Sequence, residues 1–179
     1  MKRPFEEYAA MFQHETEAGL CNEEEVLHFL RTNWPDRDGP HHVLDIGSGK
    51  GNVLEAWVTY AEGMDSCYVG VDIHPYSGRV LADMHDLPFG DETMDAILMF
   101  NSLEHSVAPF IALHEAARVL KRGGHLFIGL PEGEGHDLGT AHFVNLTDLQ
   151  LKNLLTKVEL GIIKQERNGS MRFTIAQRQ

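Results

Sequence analysis

The stretch Asp45-Ile46-Gly47-Ser48-Gly49-Lys50-Gly51 puts an acid near the end of an apolar run and then a glycine at every second position. Glycine is needed where the backbone takes positive φ or where a ligand touches it closely. The pattern predicts a strand from Val43, a tight turn, and helix-compatible sequence from Asn52 to Glu62. That layout offers bare backbone N–H groups to a small molecule. Asn52 stands where the dinucleotide motif G-x-G-x-x-G has its third glycine, which disfavours a nicotinamide-dependent oxidoreductase. Asp72 closes a second apolar run, Cys67 to Val71, about 20 residues beyond the turn. A nucleotide-binding α/β sheet places there the carboxylate that accepts from two ribose hydroxyls.

Three histidines are suited to moving a proton. His105, His136 and His142 each fall on or near the carboxyl end of an expected strand, and a neutral imidazole can take a proton from a hydroxyl or amine. His142 is the first choice of base, ahead of His136 and then His105. Asp137 stands next to His136, where it can orient the ring. The chain has 11 histidines, so some fall near any cleft by composition alone. The three show no tight metal-ligand spacing, and no metal site is expected.

The elements that position these groups follow from periodicity. Phe5, Tyr8, Ala9 and Phe12 give one apolar helical face. A second helix is expected after Asn22, with Glu25 in capping-box position and Val26, Leu27, Phe29 and Leu30 on its buried side. Trp34 to Pro40 breaks that helix. From residue 41 strands and helices alternate, which predicts a mostly parallel sheet with helices on both faces. Val53, Trp57 and Tyr60 mark the buried side of the helix after the glycine turn. Met94 to Phe100 and His125 to Pro131 read as strands. A helix from about 107 to 121 is expected to bury Ile111, Ala112, Leu113, Ala116, Val119 and Leu120. Thr147 to Gln150 reads as a capping box, Leu151, Leu154, Leu155 and Val158 as the apolar side of its helix, and Gly161 as its C-terminal cap. Ile162 to Glu166 and Met171 to Ala176 read as strands joined by the hairpin signal Asn168-Gly169. The irregular run from Pro131 to His142 follows a strand's carboxyl end, where open α/β sheets bind ligands.

Composition fits one domain over 1–179, with residues 1–38 as a helical lid or lead-in and 131–146 as a substrate-facing loop. Hydrophobic residues make up 42% of the 179, too many for a disordered chain. No apolar run approaches a membrane span, and the start lacks the apolar core of a signal peptide. Cys21 and Cys67 have no partner pattern, and a cytoplasmic protein is expected. The net charge of −12 disfavours duplex nucleic acid as a partner.

Four segments stand in register: the glycine turn "LDIGSGKG", "DLPF" at Asp86 to Phe89, "LEH" at Leu103 to His105, and "RVLKRGG" at Arg118 to Gly124. In this order they resemble the class I S-adenosylmethionine-dependent methyltransferases, over about residues 41 to 131. The resemblance implies a Rossmann-like, doubly wound seven-stranded sheet in the order 3-2-1-4-5-7-6, closed by an antiparallel hairpin. It implies S-adenosyl-L-methionine as cofactor. Gly47, Ser48, Gly49 and Gly51 would lie against its methionine end, with Asp45 bracing the turn. Asp72 would take the ribose hydroxyls, and Ile73 would lie against the adenine. Asp83 would accept from the adenine amino group, with the backbone of Met84 alongside. The carbonyl of Asn101 would face the methionine amino group, and Leu103 and His105 would line the mouth. The implied reaction is methyl transfer to a small molecule or sugar. The alternative is a binding or scaffold protein that keeps the cofactor pocket without catalysis.

Overall fold

The computed structural model describes residues 23–34, 41–51, 53, 57, 61, 66–75, 79–132 and 142–179. The expectations for Phe5 to Phe12, the Asn22 cap, the break at 35–40, Asn52, Tyr60, His136 and Asp137 lie outside those residues. Seven strands form one sheet: β1 (His41–Ile46), β2 (Ser66–Asp72), β3 (Val80–Leu81), β4 (Met94–Phe100), β5 (Leu120–Pro131), β6 (Leu160–Asn168) and β7 (Met171–Arg178). Their order is β3-β2-β1-β4-β5-β7-β6, as the resemblance implies. β3, β2, β1, β4 and β5 pair in parallel, while β7 runs antiparallel to both β5 and β6.

Alternation along the strands builds two cores. In β4, Ile97 and Met99 face one core; Ala96, Leu98 and Phe100 face the other. Helix α2 (Pro109–Val119) and helix α3 (Asp148–Lys157) cover the first face through Ala112, Leu113, Ala116, Leu151 and Leu155. Helix α1 (Glu23–Asn33) covers the second, with Val26, Phe29 and Leu30 fully buried. Phe29 stacks on Phe173 at 4.4 Å between centroids. Residues 23–33 are therefore core, and a lid reading is left only for the segment before them. Val53, Trp57 and Ala61 bury one face beside α1 at helical spacing, and the Ala61 amide donates to the Trp57 carbonyl at 2.7 Å.

Among the described residues, the expected strands and helices are present with three corrections and one short strand that the sequence did not foretell. Leu120 to Gly124 does not end a helix but starts β5, since Leu120 already pairs with Met94 across a bulge. Ile111 points outward and is exposed, because α2 turns its 112/113/116 stripe inward instead. Gly161 does not cap α3: the helix stops at Lys157, Glu159 takes the left-handed turn with φ 60°, and Gly161 belongs to β6. β3 has only two residues and leaves no periodic trace in the sequence. The capping box at α3 is present, with both Thr147 and Gln150 reaching back.

Two of the sequence motifs form one clamp. Arg118 donates to the carbonyls of Leu87 and Phe89 at 3.0 and 2.8 Å and to Asp91 and Glu115. Glu115 in turn accepts from the Leu87 amide at 2.9 Å. The Arg118 bonds, with the Leu87 amide, hold the Glu115 carboxyl below its ordinary value despite partial burial. The helix carrying "RVL" thus grips the backbone of the "DLPF" segment.

Candidate functional site

Among the described residues, buried polar side chains concentrate at one edge of the sheet. Asp45, Ser48, Asp72, Ser102, Glu104 and Ser106 are each at most 9% exposed, and all lie at or just past the carboxyl ends of β1, β2 and β4. The exceptions, Arg172 and Thr174, belong to β7. Buried polar groups cost stability unless satisfied, so such a concentration marks a built site.

The glycine turn sits between β1 and β2. Gly47, Gly49 and Gly51 take φ of 75°, 51° and 106°, the left-handed side open to glycine. The amides of Gly47 and Ser48 both donate to the Val71 carbonyl, at 2.9 and 3.0 Å. Gly47 is also packed: a Cβ there would come within 2.5 Å of the Ser102 Cβ. At Gly49 a Cβ would meet no atom of the described residues within 4 Å, so their packing does not demand glycine there.

Asp72 holds this turn. Its carboxylate accepts from the Gly49 amide at 2.8 Å and from the His74 amide at 2.9 Å. Each oxygen keeps a further lone pair for a diol. Asp45, placed by the resemblance as the brace of the turn, instead accepts from the Tyr68 hydroxyl. Burial pushes the Asp45 carboxyl up to about 7, against the Tyr68 bond and the Arg79 charge, with Asp72 adding to the rise. Tyr68 is pushed far up by the same burial and by Asp45 beside it.

Ile73 lies half-buried just past β2, and Met84 packs partly against the first core. Asp83 shares Oδ1 with the His85 amide at 2.9 Å and with the His85 ring at 2.6 Å. The far side of that ring meets Ser106 Oγ at 2.7 Å. Ser106 is fully buried, so this Asp–His–Ser chain cannot present a nucleophile and instead ties the Asp83 turn to the corner beyond β4. Asn101 opens that corner in the left-handed region at φ 48°, with its amide on the Gly129 carbonyl at 3.0 Å. Left-handed Asn is uncommon and worth a functional reading.

A single 3-10 turn, Leu103–His105, follows. Leu103 is buried, and His105 is half-buried with its ring 4.8 Å from that of His142. The two segments are held by main chain: the amides of Phe143 and Val144 donate to the Glu104 carbonyl at 2.9 and 3.2 Å. The structure thus joins His105 to His142, which the sequence treats only as separate candidates. Tyr68, His85, Glu104 and Ser106 are the participants that sequence reading missed. Only the Asp83-x-His85 spacing carries a local signal for any of them.

A family model described as a methyltransferase domain matches residues 44–128. An uncharacterized methyltransferase of Mycobacterium tuberculosis is 31% identical over 120 residues, covering 57% of this chain and 45% of that protein. The chain spans less than half the length of the curated relatives it matches. Among solved structures, a Burkholderia thailandensis 1,6-didemethyltoxoflavin-N1-methyltransferase with bound 1,6-didemethyltoxoflavin and S-adenosylhomocysteine superposes with a TM-score of 0.74. It is 17% identical, with 99% and 92% of the two chains covered. A S-adenosylmethionine-dependent methyltransferase from Aquifex aeolicus gives 0.69 at 18% identity, with 98% of each chain covered. At such identities these structures speak for the fold, and the family match speaks for the glycine turn, "DLPF", "LEH" and "RVLKRGG" together. Residues 44–128 are thus similar to a methyltransferase domain, and the strand order is that of the Rossmann-like methyltransferase fold.

Proposed function

We propose that this protein transfers a methyl group from S-adenosylmethionine to a small-molecule or sugar acceptor. The observation that carries the reading is the glycine turn held by Asp72, with Gly49 open on its far side. Gly47, Ser48, Gly49 and Gly51 would hold the methionine end, Asp72 the ribose, Ile73, Asp83 and Met84 the adenine, and Asn101 the amino group. Asp45 stands behind the turn and shapes it through β1. When bound, the cofactor supplies a methyl already activated on a sulfonium, so orientation and exclusion of water carry much of the rate.

The residues on the acceptor side are His105, in the turn after β4, and His142, on the loop we assign to residues 131–146, with His136 a further candidate on that loop. In the absence of another proton acceptor, His142 takes the proton from the acceptor's hydroxyl or amine. The net charge of −12 favours a neutral or cationic acceptor over nucleic acid. A cytoplasmic location agrees with the unpaired cysteine pattern. No described helix is long and apolar enough to cross a membrane.

Calorimetric titration with S-adenosylhomocysteine and, separately, with NAD tests the cofactor assignment. Binding of the first alone is the expected result; binding of NAD alone would overturn it. Incorporation of labelled methyl into a panel of small hydroxyl and amine acceptors then separates an enzyme from a binding protein. Cofactor binding with no turnover on any acceptor would favour the scaffold alternative.

A further inference from the structure

Glu104, His105 and His142 bring a carboxylate oxygen and two ring nitrogens within 4.8 Å of one another. From this juxtaposition we infer that the corner beyond β4 is a binding site for a divalent transition-metal ion, zinc first, with these three side chains as ligands. The inference stands apart from the methyl-transfer reading and adds an ion to the acceptor side of the same edge.

The donor set selects the ion. Two imidazoles and one carboxylate form the protein part of open zinc sites and of two-histidine, one-carboxylate iron sites. Magnesium and calcium call for oxygen ligands and are disfavoured. Metal–ligand bonds of about 2.0 to 2.2 Å place tetrahedral ligand atoms roughly 3.5 Å apart. The observed 4.8 Å ceiling therefore asks for a closure of about an ångström, within reach of small side-chain adjustments.

The frame that carries the ligands is already fixed. The amides of Phe143 and Val144 hold the Glu104 carbonyl, and the His105 amide closes the 3-10 turn on Ser102 at 3.1 Å. Glu104 is 4% exposed while both histidines are half-buried. The half-open imidazoles leave one side of the ion accessible to water or an acceptor atom. His85 is already engaged by Asp83 and Ser106 and is not part of the set. The expectation of no metal came from spacing along the chain; folding supplies the third ligand from a distant segment. With an ion in place His105 and His142 would serve as ligands rather than as bases, and the cation would acidify a bound hydroxyl or amine whose proton then passes to water.

The test uses the full chain, stripped with a chelator and free of cofactor, titrated with zinc chloride against a chromophoric chelator. One zinc per chain with submicromolar affinity is expected. Glu104→Gln and His142→Ala should each weaken it at least tenfold, while His114→Ala, an exposed histidine on α2, should leave it unchanged. Cobalt in place of zinc should give the intense visible bands of a low-coordinate site, lost in both ligand variants. Should Glu104→Gln misfold, the half-exposed His142→Ala still decides. Zinc affinity that is unchanged in the His105→Ala/His142→Ala double variant, or absent from the wild type, overturns the site. S-adenosylhomocysteine titration of the same samples reads the glycine turn separately, so either assignment can fail without the other.

Discussion

The turn after β1 and the corner after β4 touch each other, yet they are made in different ways. The turn comes from one contiguous stretch and works through backbone: three left-handed glycines, amides on Val71, and the carboxylate of Asp72 on Gly49. The corner is assembled from residues 101–106 and 142–144 and works through side chains, with Glu104, His105 and His142 converging on one point. On the proposed reading the turn grips the cofactor's methionine end and the corner's histidines face the acceptor, and variants should separate the two.

Gly49→Val should produce the largest effect. A β-branched residue at φ 51° is strained, and its bulk enters the open space beside the turn. Calorimetry should find no S-adenosylhomocysteine binding, with circular dichroism showing a fold that is kept. Wild-type affinity would make the turn purely structural and erase the contrast between the regions.

His142→Gln should do the reverse. Turnover on an identified acceptor should fall about 10²- to 10⁴-fold, with S-adenosylhomocysteine affinity unaltered. A rise in KM with kcat unchanged would reduce His142 to shaping the acceptor pocket.

The third variant asks on which side the fold's pH sensitivity lies. The Asp45 carboxyl is raised from 3.8 to about 7 by burial. A raised carboxyl binds its proton more tightly when folded, so its stabilising contribution is full below pH 3.8 and is lost as pH climbs through about 7. Unfolding free energy from urea titrations should therefore decline between these values, by up to roughly 4 kcal/mol at about 1.36 per unit. Asp45→Asn should flatten that decline. A decline that persists in the variant would assign the sensitivity elsewhere.

Asp72→Ala should have the smallest effect of the four. Loss of a charge-assisted bond to the ligand, together with the brace on Gly49, should weaken S-adenosylhomocysteine binding by about 1.5 to 3 kcal/mol, roughly ten- to hundred-fold. Full affinity in the folded variant would remove Asp72 from the cofactor site and leave it only a structural role.

The same contrast explains what the sequence discloses. Glycines at 47, 49 and 51 and an acid at 72 act locally or at a fixed distance along a βαβ unit, so type and spacing expose them. The strand order was legible only through the register of four motifs, since β3 is too short for any period to appear. The Gly161 cap failed because Glu159 adopts the left-handed turn by itself, against its own preference. Ile111 failed because a helix of mixed apolar residues has two plausible stripes, and the sheet chose the other. Glu104 with His142 was hidden for a different reason. Their partnership is made by two amides on a carbonyl, and backbone hydrogen bonds leave no mark on residue identity.

The contact between Gly47 and Ser102 bears on redesign. A Cβ at position 47 would fall 2.5 Å from the Ser102 Cβ, so the two regions share a wall one atom thick. Enlarging residue 102 to reshape the acceptor side would push that wall into the glycine turn and trade cofactor affinity for substrate scope. A library meant to alter acceptor choice should keep 102 no larger than serine. Diversity belongs on the far rim, where the wall no longer faces the turn.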